Sequence, residues 1–139
     1  MLSGLPSPEV DEDSRPFWEA CANQELVLPR CLSCGRFRWP PGPGCPHCQG
    51  RGTTWERSRG LGQVYSWVVA RQAMHPAVAL QVPYVVALIE LPEQVRIVGN
   101  IVGYSCDEVF AGLAVEVFFE TRPDGRTFPN FRAAAAEQR

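Results

Sequence analysis

Cys31-Leu32-Ser33-Cys34-Gly35 and Cys45-Pro46-His47-Cys48 decide how this chain is read, because they form two Cys-x-x-Cys pairs with ten residues between them. That spacing suits one tetrahedral zinc ion. Each pair wraps a knuckle around the metal, and Gly35 can take the left-handed backbone such a turn favours. Four thiolates close the coordination shell, whereas a hydrolytic zinc keeps a position open for water or substrate. The predicted metal site, Cys31, Cys34, Cys45 and Cys48, is therefore structural. Zinc binding contributes about 10–16 kcal/mol to the folding of zinc-finger peptides, enough to order a segment too short to bury its own core. Cys45-Pro46-His47-Cys48 alone has the spacing of a thioredoxin-like dithiol. No strand, crossover helix and strand surround it, however, and the second pair lies at metal spacing. His47 is read as a knuckle residue and not a ligand, and Cys21 and Cys106 as small apolar residues with no assigned function.

Outward from the knuckles, Leu26 to Trp55 reads as a rubredoxin-like zinc ribbon. It has an apolar lead-in, a strand at Arg36 to Trp39 and a Pro40-Pro41-Gly42-Pro43-Gly44 turn. Upstream, Leu2 to Asp13 is rich in Pro, Ser and acids and predicts a flexible leader. Ser14 then caps a short helix that tolerates Pro16 in its first turn and ends near Asn23. Downstream, Val64 to Ala70, Tyr84 to Leu91, Val95 to Val102, Val115 to Thr121 and Arg126 to Phe131 are strand-like runs punctuated by Gly, Pro or Asp-Gly. A short capped segment at Asp107 to Ala114 occupies the place where an OB fold inserts an element between its third and fourth strands. The expected fold is mainly β: an N-terminal short helix, the ribbon, and a five-stranded OB-fold barrel. The expected boundaries are 1–25 for leader and helix, 26–57 for the ribbon, 58–132 for the barrel and 133–139 for a tail.

Composition narrows the chemistry. All 13 basic residues are arginine and the net charge is −2. Without a lysine the chain cannot supply the amine for a Schiff base. The weakly acidic balance also argues against a phosphate-tracking surface. No apolar run is long enough to cross a bilayer and no secretory signal opens the chain, so a cytoplasmic location is expected, where reduced thiols favour zinc over disulfides. His75 has no carboxylate or nucleophile partner in sequence, so a catalytic base is not assigned. Alternation over the strands leaves too many apolar faces for one small barrel interior. Tyr65, Trp67 and Val69 oppose Val64 and Val68, and Val86 and Leu88 oppose Val85, Ala87 and Ile89, so some of this surface must lie beneath the ribbon, the helix or another protein. Phe17 and Trp18 on the short helix read first as packing residues and second as contacts with a ligand or partner; Arg71, Met74 and His75 in the long connection from Arg71 to Pro83 read equally as ligand or partner contacts and as parts of a loop packed against the ribbon.

Several motifs occur in the same order as in a known family. These are Phe17-Trp18-Glu19, Cys31 to Gly35, Arg38-Trp39-Pro40-Pro41, Gly62-Gln63-Val64-Tyr65-Ser66, Val82-Pro83-Tyr84-Val85-Val86-Ala87-Leu88 and Pro129-Asn130-Phe131. From about Ser14 to Arg132 the chain resembles the zinc-ribbon and OB-fold accessory proteins that accompany thiolase-like enzymes. The resemblance implies a non-catalytic subunit in a hetero-oligomer with a thiolase-like or lipid-transfer-protein-like enzyme acting on acyl-CoA thioesters. That enzyme would be either a thiolase or an aldolase that removes sterol side chains, and the CoA thioester is a possible ligand of the barrel. The rival class is a single-stranded nucleic-acid-binding module that stacks bases on Tyr65, Trp67 or Phe118. The acidic balance makes nucleic acid the weaker partner.

Overall fold

The computed structural model describes residues 5–134. Helix α1, Arg15–Ala22, precedes a two-stranded ribbon of β1, Leu26–Cys31, and β2, Thr53–Ser58, paired antiparallel from Leu26↔Ser58 to Cys31↔Thr53. Five further strands follow: β3, Leu61–Ala70; β4, Tyr84–Glu90; β5, Arg96–Ile101; β6, Ala114–Thr121; and β7, Thr127–Ala133. They close into a barrel in the order β3-β4-β5-β7-β6, with β5 and β7 parallel at Ile101↔Phe131. This is the expected mainly β architecture with a five-stranded OB barrel.

Alternation sets the interior along β4, where Val85, Ala87 and Ile89 are buried while the residues between them are partly open. In β3 a bulge between Val64 and Ser66 breaks the period of two. Val64 pairs with Ile89, but beyond the bulge Trp67 pairs with Ala87 and Val69 with Val85. Val64, Trp67 and Val69 thus share a face, against the expected opposition of Val64 to Trp67 and Val69. One extra residue exchanges the two sides of a strand. The outer face keeps Val68 beside Val86, and Val98 beside Leu88.

Helix and ribbon share the barrel's core. Phe17, Cys21, Leu26 and Leu28 belong to the same buried cluster as Val64, Ile89 and Phe131. Helix α1 packs on β1 and β7. Phe17 meets Trp39 at 4.8 Å between ring centroids, and Trp18 meets Phe128 at 5.4 Å, both edge to face. Burial pushes the Cys21 thiol up to about 12, so it stays a neutral core residue.

The local details differ from expectation in five places. Arg36 to Trp39 makes only a single bridge, Arg30↔Phe37, and the ribbon's second strand is instead β2. Ser14 stands at the helix N-cap without a side-chain cap bond; its Oγ accepts from the Asp11 N–H, while Asp11 Oδ1 accepts from the Ser14 N–H at 2.8 Å. The described part of the leader is tied down: Ser7 Oγ donates to Asp124 Oδ2 at 2.6 Å and Arg126 Nη1 donates to Pro8 O at 3.0 Å. Leu2 to Gly4 of that leader lie outside the described residues, as do 135–139 of the expected tail, but β7 runs on to Ala133 and Ala134 is buried. Finally, the segment at Asp107 to Ala114 contracts to a three-residue 3-10 turn, Cys106–Glu108, closed by a capping box in which the Ser105 N–H donates to Glu108 Oε1 at 2.7 Å.

Candidate functional site: the four-cysteine centre and the barrel surface

Two knuckles of the same design face each other. In the first, the Gly35 N–H closes onto Cys31 O at 3.0 Å and the Cys31 N–H donates to Arg36 O; in the second, the Gln49 N–H closes onto Cys45 O at 2.8 Å and the Cys45 N–H donates to Gly50 O. Both turns need a left-handed residue, supplied by Gly35 at φ +77 and by Gln49 at φ +65. Strand β1 delivers Cys31 at its last position. A buried arginine braces the loop between the knuckles: Arg38 Nη2 donates to Thr53 Oγ1 at 2.6 Å and to Gly42 O at 3.0 Å, tying the proline-rich turn to β2.

The four Sγ atoms all lie within 4.8 Å of one another, with Cys31 to Cys48 at 3.5 Å and Cys34 to Cys45 at 3.6 Å. A tetrahedron with Zn–S bonds of about 2.3 Å has edges of roughly 3.8 Å, so the donor set fits zinc. Backbone N–H groups point at three of the sulfurs: Cys34 to Cys31, His47 to Cys45 and Gly50 to Cys48, at 3.4–3.5 Å. Such second contacts favour thiolates. The Cys34 N–H is the main cause that draws the Cys31 thiol down to about 6, and the Cys48 N–H is the main cause that holds the Cys45 thiol below its ordinary range. The Gly50 N–H favours the Cys48 thiolate, but the sulfurs of Cys31, Cys34 and Cys45 push that thiol up to about 11. A bound dication relieves this crowding of negative charge. His47 stays outside the cluster, its Nδ1 3.0 Å from Arg36 Nη1.

The second notable surface is apolar. Across β3, β4 and β5 the barrel's outer face carries Val68 and Val98, 63% and 62% exposed, beside Val86 and Leu88. The connection between β3 and β4 adds Met74 and Leu80, both almost fully exposed.

Comparison with known proteins matches residues 18–54 to the family described as "ChsH2, rubredoxin-like zinc ribbon domain" and residues 55–120 to "ChsH2, C-terminal OB-fold domain". A "DUF35 domain-containing scaffold protein" of Methanocaldococcus jannaschii is 39% identical over 72% of this chain and 72% of its own length. The chain belongs to the ChsH2/DUF35 family. A solved structure titled "Ltp2-ChsH2(DUF35) aldolase" superposes at a TM-score of 0.85 with 40% identity, covering 93% of this chain and 100% of that one. A "Probable enoyl-CoA hydratase alpha subunit" of Thermomonospora curvata is 40% identical over 96% of this chain, and a "3-oxo-4,17-pregnadiene-20-carboxyl-CoA hydratase alpha subunit" of Mycobacterium tuberculosis is 32% identical over 84%. The chain spans 41% and 37% of the length of those two relatives.

Within this ChsH2/DUF35 frame the candidate contact residues separate. Phe17 is 5% exposed and wedged against Trp18 and Trp39, so of its two readings the structure favours packing in the core over contact with a partner. Trp18 is half-buried on Phe128, with the Arg126 guanidinium 4.9 Å above its ring. Arg71 and Met74 are exposed in the loop. His75 is half-buried beside them, and its Nδ1 accepts the Ala77 N–H at 3.0 Å, capping the 3-10 turn Pro76–Val78. The five do not form one site. Among the described residues no helix is long and apolar enough to cross a membrane.

Proposed function

We propose that this chain is a non-catalytic accessory subunit of a thiolase-like or lipid-transfer-protein-like enzyme that acts on acyl-CoA thioesters, and that it docks through the outer face of β3, β4 and β5. The observation that carries the reading is the superposition of 93% of this chain on the whole of a chain in the structure titled "Ltp2-ChsH2(DUF35) aldolase". The chemistry of the chain is consistent with it. The four-thiolate centre leaves no open metal position, and the absence of lysine removes imine catalysis. The exposed valines of the outer face are the kind of surface a subunit interface covers. The single zinc ion holds the ribbon in shape, and the partner supplies the reacting groups.

Nucleic acid is the poorer occupant of the aromatic surface. The Tyr65 ring already carries the Arg96 guanidinium at 3.7 Å, and Arg96 is in turn paired with Glu90. Phe118 has Arg132 at 5.3 Å. Two of the three stacking platforms thus have a face engaged.

Co-expression with a thiolase-like or lipid-transfer-protein-like enzyme tests the proposal, with partner solubility and turnover compared in the presence and absence of this chain. Full turnover by the partner alone would defeat it. Val68→Glu/Val98→Glu is expected to reduce co-purification at least tenfold while moving the melting temperature of the isolated chain by only a few degrees, since both side chains are exposed. Undiminished capture by that variant would exclude this face as the interface.

A further inference from the structure

Ahead of helix α1 the chain runs over the barrel. Across residues 5–11 it forms neither helix nor strand, and Leu5-Pro6-Ser7-Pro8 holds it extended, because each proline fixes its own φ and steers the residue before it away from helical backbone. This leader is fixed at two places. Asp11 joins it to the helix start, accepting the Ser14 N–H on Oδ1 at 2.8 Å and the Arg15 N–H on its carbonyl at 3.0 Å. The turn between β6 and β7 takes hold of it at Ser7 and Pro8.

That turn is shaped to offer the grip. Gly125, at φ +87, lets the chain reverse, and its N–H closes onto Arg122 O at 2.9 Å. Asp124 uses both carboxylate oxygens: Oδ1 accepts the Arg126 N–H at 3.0 Å, and Oδ2 accepts the Ser7 hydroxyl at 2.6 Å. Arg126 Nη1 donates to Pro8 O at 3.0 Å, while the same guanidinium lies 4.9 Å from the centroid of the Trp18 ring. Held in this way, the leader brings Leu5 into the wall of a cavity of about 620 Å³ that Val78 of the β3–β4 loop, Ile101, Val102 and Phe118 also line.

The grip is light. Among the described residues, the bonds of Ser7 and Pro8 are the only hydrogen bonds between residues 5–10 and the rest of the chain, and both are exposed to water. Glu9 and Val10, between the two fixed places, are exposed and make no hydrogen bond within the described chain. Segments with few buried apolar contacts and solvent-exposed hydrogen bonds are the first to open.

We infer that the leader is a strap with two positions. Closed, its bonds at Ser7 and Pro8 keep Leu5 in the cavity wall. Open, both bonds release, the segment swings about Glu9 and Val10, and the apolar wall at Ile101 and Phe118 becomes accessible. The device belongs to this chain alone and stands whether or not the chain docks a partner.

The test uses the full, zinc-loaded, nitrogen-15-labelled chain. In the unaltered protein the order parameter of the Ser7 amide should stay above about 0.6, the limit of flexible backbone. Ser7→Ala/Arg126→Leu, which removes both anchors and leaves the Asp124 turn bond, should drop it below that limit and shift the amides of Ile101 and Phe118. The apolar dye anilinonaphthalene sulfonate should bind this double variant at least threefold more tightly than the unaltered chain. Leu5→Ser, with both anchors in place, should give part of the same gain, and Glu9→Ala should change neither readout. Adding Val102→Trp, which fills the cavity from a half-exposed position, should cancel the gain. A Ser7 amide already flexible in the unaltered protein, a double variant that binds the dye no more tightly, or a gain that survives Val102→Trp would overturn the strap.

Discussion

Replacing Cys31 with serine is expected to release zinc, unfold the ribbon and lower the melting temperature of the barrel with it. The sulfur sits at the end of β1, and that same strand places Leu26 and Leu28 in the cluster that contains Val64 and Phe131. Freeing the knuckle therefore loosens one wall of the shared core as well as a surface loop. Elemental analysis should give one zinc per chain for the unaltered protein and less than a tenth of that for Cys31→Ser. Treatment of the unaltered protein with a strong chelator should reproduce the variant's melting curve. Cys106→Ser, away from the metal cluster, should retain full zinc and serves as the control. Acid should mimic the substitution. The Cys34 N–H draws the Cys31 thiol from its ordinary 9.0 down to about 6, so the stabilisation from this thiolate is complete above pH 9 and is lost as pH falls through about 6. Bound zinc competes with protons and moves the loss lower still, so a zinc-binding dye should report a release midpoint below pH 6. Release beginning above pH 8, or a Cys31→Ser chain that melts like the unaltered one, would contradict a structural zinc centre.

The metal centre was legible in the sequence because coordination is local: two short loops, four sulfurs and a glycine at Gly35 write the geometry into consecutive residues. The barrel strands were legible because each carries an apolar run, and β4 in particular alternates cleanly. Strand β2 was not, since Thr53-Thr54-Trp55-Glu56-Arg57-Ser58 has no apolar alternation and pairs because β1 and the knuckles hold it in register. The bulge after Val64 was equally invisible, and it reassigned the faces of Trp67 and Val69. Which of its two readings Phe17 takes was hidden for a related reason. A short helix offers few neighbours of its own, and the residues that bury Phe17, Trp18 aside, arrive from elsewhere in the chain, Trp39 among them. The β3–β4 loop showed its length in sequence, but the cavity of about 620 Å³ that its His75 and Val78 line together with Ile101, Phe118 and Asn130 depends on barrel closure and has no sequence signal.

Barrel closure itself gives the other large expected effect, at Phe131. This ring is fully buried, pairs across from Val117, and stands at the β5–β7 junction where Ile101 meets it and the Val102 N–H donates to its carbonyl at 2.9 Å. Truncation of a buried phenylalanine costs about 3–5 kcal/mol, against a total stability of about 5–15 kcal/mol for a domain. Phe131→Ala is therefore expected to lower the melting temperature by roughly 10–25 °C. Gly99 explains why the ring fits. A Cβ at that position would lie 2.7 Å and 2.8 Å from two ring carbons of Phe131, so the glycine leaves the space that the phenyl occupies. Gly99→Ala should cost about 1–3 kcal/mol by overpacking. The two effects share one cause, which makes them non-additive: Gly99→Ala/Phe131→Leu should be no less stable than Phe131→Leu alone by more than a few tenths of a kcal/mol, because the smaller side chain gives way to the methyl. Denaturant melts of the two single variants and the double variant measure this coupling. Strict additivity would mean that Gly99 serves some need other than room for the ring, and the close approach of β5 to Phe131 would then have to be explained by backbone freedom alone.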